Sequence, residues 1–518
     1  MAARKKAALR LKLQTVEALG GRRFLLPGAF SLYKINSCEY CDRYGSKNGL
    51  KKRILMQILW IERLYWGMER EKKTKAIEMT TGSIWKNLFF LSCPLVFSQV
   101  LEVLFNMSDV AVVGRFSDYR ALGAVGSTTL LVTLFTGFLI GMGCGVNVRM
   151  AHELGARRRE SVIKTVHSAF VICLIVGLLV GAACFFFAEG LLGILHTKEE
   201  LMDSAVLYLK IYALGMPGMA LYNCGNGILS ATGDTKRPLL YLSIAGIVNV
   251  ILNLFFVIVC HMAAEGVAIA SVIGQYLSAL LIVIHLLRRT DDCGLHPSKL
   301  RLDPACGKAI LVLGIPTGIQ NAIFAIANLF VQSGVNSFDA VMVSGNAAAA
   351  NADTLIFNIM AAFYTGCSSF IGQNWGAGNR ERMKKSYLVG LTYSFAAGAI
   401  FGGLLLIFGR QFLSLFATEP AVIDAGMQRV KIMGFSYMIS AFMDCSIAAS
   451  RGIGKSIVPM VIVILGSCVF RVIWVYTIFV WIHTIPALYS LYFFSWAITS
   501  VAEVLYFRHS FRQLEFQS

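Results

Sequence analysis

An all-α polytopic membrane protein built from two copies of a six-helix unit is the fold this chain predicts, and three observations carry it. The 518 residues are 56% hydrophobic and 15% charged, with mean hydropathy +0.65; a soluble domain is about one quarter charged. Apolar stretches recur from about residue 86 to residue 508, each long enough to cross roughly 30 Å of hydrocarbon. The sequence also repeats. At an offset of 221, Gly155-Ala156-Arg157-Arg158-Arg159-Glu160 falls on Gly376-Ala377-Gly378-Asn379-Arg380-Glu381, and Cys224, Gly233 and Pro238 fall on Cys445, Gly454 and Pro459. Earlier in each half the offset is 222, placing Pro94 on Pro316 and Phe116 on Phe338. Duplication in a strongly apolar chain is the architecture of secondary transporters.

Residues 1–78 form a basic extension with 18 Lys/Arg against 7 Asp/Glu. It has no long apolar run and no cleavable signal. Its expected state is disorder, or sequence upstream of a native start at Met68. The stretch 53–68 has the pattern of a short surface amphipathic helix, and Cys38-x-x-Cys41 lacks the second ligand pair that zinc requires. Six spans follow in an N-lobe, 79–288: 86–112, 121–147, 165–188, 204–231, 238–260 and 265–288. A linker at 289–306, with Cys293-Gly294, Pro297 and Pro304, leads to the C-lobe, 307–518, with spans at 307–335, 343–372, 386–408, 425–450, 458–482 and 486–507. Six is even, so both halves enter the membrane in the same direction and the repeats are parallel. Loops after spans 2, 4, 6, 8 and 10 carry 18 Lys/Arg, while the opposite face has seven, counting Lys210, Arg429 and Lys431 near span starts. This bias predicts both termini in the cytoplasm of a plasma-membrane protein.

The remaining charge does not suggest nucleic-acid binding, because topology accounts for it. Ala449 to Ser456 superficially resembles a phosphate-binding loop, but Ala449 stands where glycine is needed and the segment joins two spans. His152-Glu153 lacks the second histidine of a zinc-protease helix. No clustered His, Ser or Cys constellation indicates an enzyme, and most of the cysteines act as small hydrophobes within spans.

Ionisable groups at membrane depth are the better clue, since a charge there costs roughly 3 kcal/mol or more and usually faces a cavity. Span 1 carries Glu102, Asn106 and Asp109, spaced so that all three share one helix face, with Pro94 upstream as a candidate hinge. Span 5 carries Asn249 and Asn253 on one face; two amides there either join helices or orient a carboxylate across the bundle. The second-lobe candidates are Asp353, Asp444 and Arg471, with Pro316 as the second hinge. Asp353 reads equally as a cleft residue or as a wetted residue near the outer end of span 8. Arg471 reads as a substrate ligand or as the partner of an acid. Glu503 lies near the cytoplasmic end of span 12 and reads as interfacial.

With these residues in place, the chain resembles the multidrug and toxic compound extrusion (MATE) family, from about Met79 to residue 508. The carriers are Pro94 with Asp109, Asp109-Val-Ala-Val-Val-Gly114, Gly155-Ala156, Gly233-Asp234-Thr235-Lys236-Arg237-Pro238, Asn249-x-x-x-Asn253, Gly345-Asn346-Ala347-Ala348-Ala349, Gln373-Asn374-Trp375-Gly376-Ala377 and Arg451-Gly452-x-Gly454. The resemblance implies two lobes around a V-shaped cleft and export of small organic cations against H⁺ or Na⁺, by a monomer in the lipid bilayer with no other cofactor. Na⁺ beside Asp109 is the one metal it admits. Pro94, Asp109 and Asn249 match the family's proton-coupled branch, where an acid stands at the position of Asn253. The sodium-coupled branch has a glutamate in span 7, and residues 315–335 contain no acid. Asp444 is then the candidate second-lobe acid, and Glu102 a second charge in the first lobe. The alternative within the wider transporter group is a flippase for a lipid-linked or other large amphipathic substrate, which an Arg/Lys-lined cleft would favour.

Overall fold

Residues 76–514 are described by a computed structural model, and among them there is helix but no strand. The expectations for the 53–68 helix, the Met68 start and the Cys38/Cys41 pair lie outside the described residues. The spans are Ile84–Phe116, Tyr119–Gly155, Arg159–Phe186, Glu199–Ala213 with Met216–Ala231, Lys236–Val259, Ala264–Arg288, Pro304–Val335, Ala340–Gly376, Arg380–Leu413, Pro420–Gly452, Ile457–Ile482 and Ile485–Arg512. Each expected span has its counterpart, and most run past the apolar stretch that marked them. Hydrophobicity marks the buried length, but capping and ion pairs set the helix ends. Asp118, Asp303 and Asp339 accept from the backbone N–H groups of Ala121 (2.9 Å), Cys306 (2.9 Å) and Met342 (2.8 Å), satisfying orphan donors of the first turn. Span 2 continues two turns beyond its expected end, with Arg149 paired to Glu153 at 2.7 Å.

Span 4 departs from the expectation of one continuous helix. It bends by 43° between Ala213 and Met216. Pro217 cannot donate to the Ala213 carbonyl one turn back, and within the break the Leu214 carbonyl accepts from Tyr276 Oη at 2.7 Å. Pro94 and Pro316, by contrast, are buried inside helices assigned without a break.

The duplication extends to backbone conformation. Positive φ occurs at Arg157 (55°) and Gly378 (70°) after spans 2 and 8, at Gly233 (84°) and Gly454 (87°) after spans 4 and 10, and at His261 (54°) and His483 (39°) after spans 5 and 11. Spans 5 and 11 both end near a π-helical segment, Phe255–Val259 and Val475–Phe479. Span 11 has an additional one at Ile464–Val469. A π segment accommodates one extra residue, which returns the repeat offset from 221 to 222 in this span.

The lobes meet at the end that carries the basic loops. Asn147 accepts from Ser369 Oγ (2.8 Å), His152 Nε2 bonds the Gly452 carbonyl (2.7 Å), and Gln373 Nε2 donates to the Ala231 carbonyl (2.7 Å). Spans 2 and 8 cross here through a reciprocal pair of glycines. A Cβ on Gly155 would stand 1.9 Å from the Gln373 carbonyl oxygen, and one on Gly376 2.0 Å from that of His152. Residues preceding span 1 fasten the same end. Arg382 donates to the carbonyls of Met79 (3.0 Å), Thr81 (2.7 Å) and Gly82 (2.8 Å), Asn374 donates to Met79 O (3.1 Å), and Ile77 N–H donates to Gly233 O (3.2 Å). Higher up, Asn321 Nδ2 donates to the Gly137 carbonyl at 2.9 Å. Among the described residues the hydrogen bonds that join the lobes fall at this end and at mid-span.

Candidate functional site

A cavity of about 220 Å³ lies in the N-lobe, walled mainly by spans 1, 2, 4, 5 and 6 and reached by Ala362 and Thr365 of span 8. The seven-residue repeat on span 1 brings Glu102, Asn106 and Asp109 to its wall together, as their spacing predicts. Asp109 is the most highly coordinated of the three. Its Oδ1 accepts from Asn253 Nδ2 at 2.5 Å, and from Asn249 Nδ2 at 3.1 Å in the amide orientation that satisfies both neighbours of Asn249. Its Oδ2 accepts from Ser271 Oγ of span 6 at 3.0 Å. Three neutral donors from two facing spans therefore hold one carboxylate, and the asparagines orient an acid across the bundle. Asn253, neutral where the resemblance implies an acid, is here a donor to Asp109. Glu102 lines the same cavity without a hydrogen-bond or ion-pair partner among the described residues. Among the described residues no Lys, Arg or His lines this cavity.

The C-lobe encloses a second cavity of about 430 Å³. Asp353 is buried within its wall. Its Oδ2 accepts from Arg429 Nε (2.9 Å) and Nη2 (2.5 Å), its Oδ1 accepts from Tyr437 Oη, and Arg429 Nη1 donates to Asn346 Oδ1. The wetted reading of Asp353 is thus corrected, because its partner lies 76 residues away on span 10. Arg429, counted from sequence with the outer charges, is buried because span 10 starts at Pro420 and places it more than two turns inside the helix. Arg471 is 2% exposed, but its partner is not an acid. It donates to Asn328 Oδ1 (3.0 Å) and Ser495 Oγ (3.5 Å), and its guanidinium lies over Tyr492 at 4.6 Å. Asp444 lines the cavity and makes no ion pair or side-chain hydrogen bond among the described residues. The wetted, interfacial reading of Glu503 is also corrected: it is 0% exposed, packed inside the protein, with neither carboxylate oxygen partnered among the described residues.

The match to a family model, MatE, falls on residues 94–255 and again on 316–477, more than half of the chain and in step with the repeat. The chain belongs to the MatE family. It is accordingly a multi-pass membrane transporter and not an enzyme. A probable multidrug resistance protein of Bacillus subtilis, YpnP, is 28% identical over 70% of this chain and 81% of its own length. A probable multidrug resistance protein of Thermotoga maritima, NorM, is 24% identical over 73% and 82% respectively. An outward-facing structure of a multidrug resistance MATE family transporter superposes with TM-score 0.79 at 21% identity, covering 85% of this chain and 99% of the other. These relatives lend no support to the flippase alternative.

Sequence reasoning missed Ser271, Arg429 and the cavity-lining Arg451. Ser271 carried no usable signal, since one serine in an apolar span is ordinary. The repeat held a signal for the C-lobe. An offset of 222 carries Asn106 to Asn328 and Asn249 to Arg471, and those two residues bond each other in the second cavity.

Proposed function

We propose that this MatE transporter is a secondary antiporter of the plasma membrane, exporting cationic amphipathic compounds in exchange for H⁺ or Na⁺, with its basic loops and termini in the cytoplasm. The observation that carries the reading is the N-lobe cavity, where Asp109 and the unpaired Glu102 share a wall without any basic side chain. Two carboxylates at membrane depth favour a cation over an anion or a neutral compound. The multidrug resistance relatives support drugs and toxins as the cargo class.

Exchange follows from competition for Asp109. An organic cation binds the ionised carboxylate, which Asn253, Asn249 and Ser271 hold in place. A proton or Na⁺ arriving from the outside neutralises that charge and releases the cation. The neutralised helix face then repacks, with Pro94 and Pro316 as the proposed hinges, and the lobes exchange openings. Glu102, two turns nearer the middle of span 1, extends the cation site and contributes to substrate range. The test is ethidium efflux from energised vesicles carrying the purified protein, with a H⁺ gradient and a Na⁺ gradient imposed separately. Efflux driven by one gradient identifies the coupling ion. Equal efflux with and without either gradient removes the antiport reading.

A further inference from the structure

The two lobes are repeats, yet their cavities have opposite charge character. Asn249 of the N-lobe is matched by Arg471 in the C-lobe, Glu102 by Phe324, and Asp109 by Val331 at the same offset of 222. The second cavity contains Arg429, Arg451 and Arg471 against Asp353 and Asp444. Arg429 is used by Asp353, which leaves two arginines and one carboxylate facing the space. Neither remaining arginine has a carboxylate within ion-pair distance among the described residues. Arg451 donates through Nη2 to Gln320 Oε1 (2.8 Å), and its buried Nε has no acceptor. Arg471 uses Nε and Nη1 on neutral oxygens and leaves Nη2 without a partner among the described residues. Asp444 is near enough to influence both arginines, and Glu503 to influence Arg451, but neither carboxylate pairs with them among the described residues.

A buried guanidinium without a counter-ion is expensive. Here it is partly offset by rings: Tyr492 at 4.6 Å, Phe324 at 5.5 Å and Trp496 at 5.7 Å from Arg471 Cζ. The same rings give the cavity flat apolar walls beside unused N–H donors. At about 430 Å³ it has the volume of a small-molecule site.

We propose that the C-lobe cavity is a second substrate site, in which Arg451 and Arg471 bind the carboxylate or phosphate of an aromatic organic anion. The inference deepens the transport reading above, on which it rests, by extending the substrate class from cations to compounds that carry an acidic group. Planar bidentate recognition by guanidinium and stacking on Tyr492 and Trp496 supply selectivity for aromatic acids over their neutral analogues.

Equilibrium dialysis tests this without any gradient. The full-length protein is placed in phosphatidylcholine nanodiscs, with empty discs as the blank, and dialysed against fluorescein and, separately, ethidium. The proposal predicts saturable fluorescein binding that 2-naphthoate or 1-naphthyl phosphate displaces and 2-naphthamide does not. The stronger of the two competitors identifies the preferred acid. Arg451→Gln and Arg471→Gln each weaken fluorescein binding about tenfold to a hundredfold, and Arg451→Lys recovers part of it. Retained ethidium binding certifies that each variant is folded, and if Arg471→Gln fails this control, Arg451→Gln decides the question. Wild-type fluorescein affinity in a folded Arg451→Gln protein overturns the proposal, as does absence of saturable binding to the wild type. Displacement of fluorescein by phosphatidylglycerol in the disc also overturns it, by assigning the site to a lipid headgroup. Arginine-dependent fluorescein binding in a protein that fails gradient-driven ethidium efflux would instead retain this site and remove the cation-antiport reading.

Discussion

Asp353→Ala breaks the buried Asp353–Arg429 ion pair of the C-lobe. The substitution deletes the acceptor of Arg429 Nε and Nη2, at 2.9 and 2.5 Å, and of Tyr437 Oη. Arg429 then keeps the Asn346 oxygen and the faces of Tyr489 and Tyr492, at 5.3 and 5.5 Å, but loses its counter-charge. Breaking a buried pair by removing one member costs about 3–5 kcal/mol, since an uncompensated charge remains. The residual contacts place the expected loss toward the lower end of that range. Arg429→Met in the same background removes the stranded charge and is expected to recover at least half of the loss. Unfolding in detergent can be followed with a thiol-reactive dye, because Cys173, Cys224, Cys367 and Cys445 are free and buried. A single-variant loss below about 1 kcal/mol, or a double variant whose loss is the sum of the two singles, would refute the argument that the pair acts as one unit.

Three further outcomes follow from the basic end of the molecule. Gly155→Ala drives a methyl group into the Gln373 carbonyl, 1.9 Å away, and should cost about 1–3 kcal/mol; the same dye assay checks it, and an unchanged melting profile contradicts the close crossing of spans 2 and 8. Arg382→Ala releases three carbonyls between Met79 and Gly82, so amide hydrogen exchange in residues 77–83 should accelerate at least tenfold while exchange in span 8 is little changed. In intact cells, a cysteine introduced at Arg158 should resist an impermeant thiol reagent and one at Lys198 should react; the opposite pattern would reverse the orientation read from loop charge.

The parts of this molecule legible in the sequence are those governed by period and repetition. Apolar length located the spans. The 221-residue offset predicted parallel halves, and the structure repeats even the left-handed turns at Gly233 and Gly454. Most of the N-lobe candidate site was legible for the same reason: Glu102, Asn106 and Asp109 lie on one helix face, and Asn249 and Asn253 on another. What periodicity does not encode is which face meets which neighbour. Ser271 completes the Asp109 cluster only because span 6 packs against span 5, and Asp353 meets Arg429 only through the packing of spans 8 and 10. Hydropathy also misplaced charges near span ends. Arg429 reads from the sequence as outward and Glu503 as interfacial, whereas packing within the C-lobe buries both. The bend in span 4 was signalled by Gly215 and Pro217, but an apolar window averages over them.

The most direct test of ion-coupled exchange at Asp109 is ethidium efflux by Asp109→Asn, reconstituted beside the wild type, under the gradient that drives the wild type. The substitution keeps the shape of the side chain and removes its titratable charge. One lost charge-assisted contact is worth about 1.5–3 kcal/mol, so ethidium affinity should fall roughly tenfold to a hundredfold, and gradient-driven efflux should be abolished with the protein still folded and abundant in the vesicles. Near wild-type, gradient-dependent efflux by Asp109→Asn would contradict the account and move the coupling site elsewhere, with Asp444 the next residue to test.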